Sequence, residues 1–195
     1  MTSALKPLLA EIRACQVCAG HLPHAPNPVV RANARARLLL IGQAPGRRVH
    51  ETGIPWNDPS GDTLREWLQL KAEQFYDEAL VAIVPSGFCY PGAGKSGDLP
   101  PRPECAPLWH PPLLNALPNI RLTLLIGSYA QAFYLKEQNG ATLTDTVANY
   151  AEYLPRFLPL PHPSPRNRPW LKRNPWFESR VLPVLRKRVT ALLSD

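Results

Sequence analysis

"RLLLIGQAPG", residues 37–46, decides the fold class. Four consecutive apolar residues, Leu38 to Ile41, leave no polar face, so a strand here must be covered on both sides. A strand with one wet face would alternate instead. The run therefore reads as a parallel strand flanked by helices. Gly42 ends it, and in the loop "GQAPG" Gly42 and Gly46 let the backbone come close to a ligand. Open parallel sheets bind ligands beyond the carboxyl ends of their strands, which makes this loop a candidate site.

Outward from that stretch the same signature recurs. "ALVAIVP" (79–85), "RLTLLIG" (121–127) and "RFLPLP" (156–161) read as three further strands. Helical spacing fills the intervals. "SALKPLLAEIRAC" puts Leu5, Leu8, Leu9 and Ile12 on one face, and "DTLREWLQL" (62–70) does the same with Leu64, Trp67 and Leu68, Asp62 being placed to cap it. "PLLNALP" (112–118) is helical, and "SYAQAFYLKEQ" (128–138) is a helix capped by Ser128 and stopped by Asn139-Gly140. "FESRVLPVLRKRVTALL" (177–193) closes the chain with a helix burying Val181, Leu185, Val189 and Leu192. Such alternation implies an α/β protein with an open parallel sheet covered on both faces. "GQAPG", the loop after the second strand and "PHPSP" (161–165) all follow strands and should converge.

Length and composition fit that reading. The 195 residues suit one domain, 1–195, and 45% hydrophobic with 19% charged residues describe a globular chain rather than a disordered one. Its 24 prolines are dispersed and form no low-complexity linker. No apolar run is long enough to span a bilayer, and the first residues lack a basic region followed by an apolar one, so a cytoplasmic monomer with no membrane partner is expected. The net charge of +7 is concentrated in "RANARAR" (31–37) and in the C-terminal third. Two such stretches on one domain suggest a nucleic-acid surface; on charge alone a solvated basic face weighs about the same.

Two groups of residues carry chemistry. His162 lies between Pro161 and Pro163, with Ser164-Pro165 after it, on a stiff, non-helical segment that runs into Arg166, Arg168, Lys172 and Arg173. Taken alone, it reads as a structural imidazole bonded to backbone. Cys15 and Cys18 form a CxxC, and Cys89 and Cys105 enclose fifteen residues rich in Pro and Gly. Two disulfides do not suit a cytosolic chain, and a redox CxxC would leave the other pair unexplained. A [4Fe–4S] cluster, zinc, and unrelated buried thiols stay open on spacing.

The set "IGQAPG" (41–46), "TGIPWNDPSGDTLREWL" (52–68), C-x2-C followed by C-x15-C, "LLIGSYAQAFYL" (124–135) and "HPSPRN" (162–167), in that order along nearly the whole chain, resembles the uracil-DNA glycosylase superfamily. The cysteine spacing is most similar to its iron–sulfur branches, families four and five, whereas "HPSPRN" is more like the single-strand-selective branch and the first-described family. The resemblance implies a three-layer α/β/α sandwich with a four-stranded parallel sheet. It also implies a [4Fe–4S] cluster on Cys15, Cys18, Cys89 and Cys105, and excision of a damaged base from single- or double-stranded DNA, uracil first.

Residue by residue, the resemblance makes His162 a donor to the departing base and Trp56 a stacking floor. Such chemistry needs a fixed donor, because charge develops on the base as the sugar becomes oxocarbenium-like. Gly42, Gln43 and Ala44 fall in the base-contacting loop, with Gln43 able to bond the base edge or the attacking water. Ala44 stands where the first-described family has an aspartate, and Gln43 where family four has a glutamate. Asp58 is then the first candidate to activate water and Asp62 the second. Relatives have an asparagine reading the pairing edge where this chain has Pro85, so Ser86 and Asn57 are offered as substitutes and hypoxanthine, xanthine or an oxidised pyrimidine as further substrates. After "HPSP" the resemblance implies a minor-groove wedge at Arg166, with Trp170 and Leu171 as further wedges. Ser164, Asn167, Arg168, Lys172 and Arg173 make up the rest of the DNA surface. The competing class is a non-catalytic iron–sulfur or zinc nucleic-acid-binding module on the same fold.

Overall fold

The computed structural model describes residues 4–136 and 140–194. The four expected strands are present, each two to four residues shorter than read: β1 (Leu38–Ile41), β2 (Val81–Ile83), β5 (Leu122–Ile126) and β6 (Phe157–Leu160). They form one fully parallel sheet in the order β2-β1-β5-β6. Between β2 and β5 the chain makes a small antiparallel hairpin, β3 (Ala93–Gly94) with β4 (Gly97–Asp98). Pro159 sits in β6, an edge strand, where a missing N–H costs the ladder least.

The continuous apolar run of β1 is explained by the two cores. Leu39 and Ile41 pack into one, with Leu5, Leu9 and Ile12 of helix α1 (Leu5–Arg13) and Leu113 of α5 (Cys105–Asn115). Leu38 and Leu40 pack into the other. There they meet Leu64, Trp67 and Leu68 of α3 (Pro59–Leu68) and Leu185 and Val189 of α9 (Leu182–Ser194). The result is the expected α/β/α sandwich. Shorter helices complete it: α2 (Arg47–Thr52), α4 (Ala72–Phe75), α6 (Ser128–Leu135), α7 (Leu143–Ala148) and α8 (Arg168–Arg173). Among the described residues no helix is long and apolar enough to cross a membrane.

Several local expectations are corrected. Asp58, not Asp62, caps α3: its Oδ1 accepts from the Gly61 amide at 2.9 Å, with Pro59 in the first turn. Asp62 instead pairs with Arg65 one turn on, its side chain 75% exposed. Gly127, at φ +85°, occupies the cap position before α6, so Ser128 is the first helical residue and makes no cap bond. The expected stop at Asn139 lies outside the described residues, and α6 ends at Leu135. The helix expected at 112–118 runs from Cys105 to Asn115. The last helix is not continuous, because Phe177–Val181 forms a wider π turn before α9. Pro183 has no N–H to give the carbonyl four residues back, which favours that widening. Leu192 is only half-buried.

Arg31 pairs with Glu78, and Arg37 donates to the Leu192 carbonyl at the amino end of β1, away from the carboxyl ends where "PHPSP" lies.

Candidate active site

The strand order reverses between β1 and β5, because the chain leaves β1 for β2 on one side and returns to β5 on the other. At such a switch point the loops beyond the carboxyl ends diverge and leave a crevice. Here it is a cavity of about 540 Å³, lined by Gly42, Gln43 and Ala44 after β1, Pro85 after β2, Tyr129 after β5 and His162 after β6. Trp56 and Asp58 close one side, Ser96, Gly97 and Asp98 of the hairpin another, and Ser164, Arg166 and Asn167 the mouth.

His162 is held on all sides. The Ser164 amide donates to its Nδ1 at 3.2 Å, Asn167 Nδ2 donates to its carbonyl at 2.8 Å, and the Trp56 ring lies 5.7 Å away at 32°. Since Nδ1 accepts, the neutral ring carries its proton on Nε2, which has no hydrogen-bond partner among the described residues. Burial depresses the pKa of His162, against the opposing pull of the Asp58 charge, and so favours that neutral form. The chain has therefore built a fixed neutral donor at the end of a strand.

Trp56 is positioned by two glycines. Its backbone has φ +57°, and a Cβ on Gly61 would fall 1.8 Å from its carbonyl oxygen. A Cβ on Gly42 would stand 2.8 Å from Trp56 Cζ2, so the ring lies flat on the β1 loop. Gln43 faces the cavity, but its amide reaches back to the Leu99 carbonyl at 3.5 Å. Asp58 lines the cavity with one oxygen committed to the α3 cap. Its charge acts on His162 and on Asp98.

Other residues singled out in the sequence lie elsewhere. Ser86 is 6% exposed and does not line the cavity; its Oγ donates to the Gly42 carbonyl at 2.8 Å, so it braces the loop from behind. Asn57 and Asp62 are not on the cavity wall either. Trp170 is half-buried, its Nε1 donating to Thr144 Oγ1 at 2.9 Å and its ring packing edge-on against Trp176 and Phe177. Leu171 packs beside it against the same core. Both therefore belong to the fold and are not exposed wedges. Arg166 is exposed and donates to the Ser96 carbonyl at 3.0 Å, across the cavity mouth. Arg168, Lys172 and Arg173 are exposed on α8.

Sequence reasoning missed two groups. Asp98 reaches the cavity only because a two-residue hairpin folds back, and the short Gly-rich run around it carries no periodic signal. Partial burial raises the Asp98 pKa, opposed by Arg166 and reinforced by the Asp58 charge. Behind Pro85, His110 is 1% exposed, its Nε2 3.0 Å from the Pro85 carbonyl and its Nδ1 against the Tyr134 hydroxyl. Burial pushes its pKa down to about 4, so it stays neutral and fixes that wall.

The four cysteines occupy one neighbourhood. None is in a disulfide, and Cys15, Cys18 and Cys89 lie near enough to Cys105 that charge on any of them would disfavour its thiolate. Burial pushes the Cys89 thiol up to about 11 and Cys105 up to about 12. Among the described residues no group of three or more His, Cys, Asp or Glu side chains is arranged to hold a metal ion.

A family model of the uracil DNA glycosylase superfamily matches residues 30–186, from the approach to β1 into α9, and so spans the sheet, the cavity and the His162 loop. With a parallel sheet, a switch-point cavity and a histidine fixed in it, the chain belongs to the uracil DNA glycosylase superfamily, a family of DNA glycosylases.

Proposed function

We propose that this chain hydrolyses the N-glycosidic bond of a deaminated base in DNA, uracil first, and that it does no more than release the base. The observation that carries the reading is the His162 ring, whose Nδ1 is occupied by the Ser164 amide and whose free donor belongs to a cavity floored by Trp56. A base extruded from the stack enters that cavity and lies against the Trp56 ring. As the bond from the sugar C1′ to the base nitrogen breaks, its electron pair moves into the base. His162 Nε2–H then bonds the base carbonyl that gains negative charge, which stabilises the transition state more than the ground state. A water adds to C1′, and the proton it loses passes through solvent to the departing base anion, which leaves as the neutral base. Asp58, with one oxygen in the α3 cap and the other uncommitted, is placed to orient that water and to oppose the positive charge on the sugar.

Arg166 at the mouth is the wedge candidate, and Arg168, Lys172 and Arg173 supply phosphate contacts without reading sequence. Cys15, Cys18, Cys89 and Cys105 would hold a [4Fe–4S] cluster that joins the end of α1 to the loop after β2 and the start of α5. What supports it is the donor set: four soft thiols in one neighbourhood, none in a disulfide, with burial of Cys18, Cys89 and Cys105 opposing ionisation unless a metal centre supplies compensating charge. Its contribution would be structural.

The test is a panel of oligonucleotides, each with one uracil, hypoxanthine, xanthine or oxidised pyrimidine, incubated with protein and then cut by alkali at abasic sites. Cleavage of the uracil strand is the expected result. Tight binding with no abasic site on any lesion would overturn the reading in favour of a non-catalytic DNA-binding module.

A further inference from the structure

The cavity has a wall that the mechanism above leaves unused. It is built by the β3–β4 hairpin, which follows β2 at one edge of the sheet, whereas His162 follows β6 at the other. Asp98 is the charged side chain that this hairpin presents to the cavity. Its position is set by backbone pairing with Ala93 and by the Leu99 amide, which donates to the Gly92 carbonyl at 2.8 Å. The carboxyl packs against the β1 loop, since a Cβ on Gly46 would stand 3.4 Å from Asp98 Oδ2. Tyr90 places its hydroxyl near the same carboxyl, and its own ring is fixed between His24, stacked at 5.9 Å, and His50 at 6.0 Å.

A pocket that accepts a flipped base needs a polar group for the base's pairing edge. Four of the other polar side chains of this cavity are engaged in whole or in part. Gln43 reaches to the Leu99 carbonyl, Asn167 to the His162 carbonyl and Arg166 to the Ser96 carbonyl, while Asp58 caps α3. No backbone amide among the described residues donates to the Asp98 carboxyl, and with the Tyr90 hydroxyl bonded to it an oxygen on the hairpin wall is still left to accept from a ligand.

We propose that Asp98 is a specificity-determining residue, its carboxyl accepting a hydrogen bond from the imino N–H on the pairing edge of the extruded base. The inference rests on the glycosylase reading and deepens it. Uracil, hypoxanthine and xanthine all carry such an N–H beside a carbonyl, and a base methylated at that nitrogen has no proton to give. An acceptor facing this edge thus favours deaminated bases over their N-methylated forms by the value of one hydrogen bond to a charged group, a preference of roughly 10- to 100-fold.

Single-turnover release of uracil and of 3-methyluracil from otherwise identical oligonucleotides tests it, using the full chain and the variants Asp98→Ala and Asp98→Asn. In Asp98→Ala the preference for uracil should collapse, through loss of the uracil rate with no matching loss for 3-methyluracil. Asp98→Asn keeps an acceptor oxygen and should keep the preference. If Asp98→Ala retains the full preference, the edge is read elsewhere and the inference fails. An equal fall for both bases in both variants also overturns it, because that marks a role in handling water. Release of neither base by the unaltered chain is a different failure, that of the glycosylase reading itself.

Discussion

Replacing Gly42 with alanine perturbs the site through a single methyl group. That Cβ would stand 2.8 Å from Trp56 Cζ2 and 3.4 Å from Cη2, the first distance shorter than side chains tolerate. Relief by a backbone shift at Trp56 is closed off. Its carbonyl lies 1.8 Å from where a Gly61 Cβ would be, and Arg65 Nη1 and the Tyr76 hydroxyl each donate to it at 3.4 Å. The ring must therefore tilt into the cavity, towards the imidazole 5.7 Å away. Overpacking of this kind costs about 1–3 kcal/mol, a Tm decrease of roughly 2–12 °C for a chain of this size. A floor displaced by about 1 Å should slow base release by up to about 100-fold. Thermal unfolding with single-turnover release on a uracil oligonucleotide measures both. Gly20→Ala is the control, since nothing lies within 4 Å of its Cβ and both readings should stay at the parent value. A Gly42→Ala protein with parental Tm and rate would refute the claim that Trp56 is held against the β1 loop as the base floor.

Three further outcomes follow from the same geometry. His110 is neutral when folded, with its pKa pushed down to about 4, while the unfolded chain protonates near the ordinary 6.5. Its contribution to stability is thus complete above about pH 6.5 and is lost as pH falls, by about 2.5 kcal/mol at pH 4.5. Urea unfolding at pH 7.5 and 4.5 should show a shallower loss in His110→Asn than in the parent, and equal slopes would contradict the assignment. Lys172→Ala with Arg173→Ala should weaken binding to any duplex and lower the salt slope by about 0.9 for each phosphate contact removed; an unaltered slope returns α8 to an ordinary solvated helix. Anaerobically purified protein should contain iron and sulfide and absorb in the visible, whereas stoichiometric zinc from iron-replete cells would contradict the cluster.

Much of this was legible in the sequence, for identifiable reasons. The strands announced themselves because β1 is buried on both faces, Leu38 and Leu40 in one core and Leu39 and Ile41 in the other. His162 stood out because prolines on both sides stiffen its segment, but a donor role for it came only from the accompanying motifs. Asp62 was misjudged as the cap of α3, although Pro59 in the first turn was the local signal that Asp58 precedes the helix. Trp170 beside a basic run looked like a wedge, and only the packing of Trp176 and Phe177 around it shows otherwise. Asp98 could not be read at all. Its place depends on a hairpin of two-residue strands meeting the β1 loop, a tertiary contact without periodicity.

The most direct measurement compares the unaltered chain with His162→Ala in single-turnover release of uracil, alongside the affinity of each for the same oligonucleotide. Loss of one preorganised donor should lower the rate by about 10²–10³ while affinity stays within a few-fold. An unchanged rate in His162→Ala would contradict the account, because the neutral donor held by the Ser164 amide would then take no part in the chemistry.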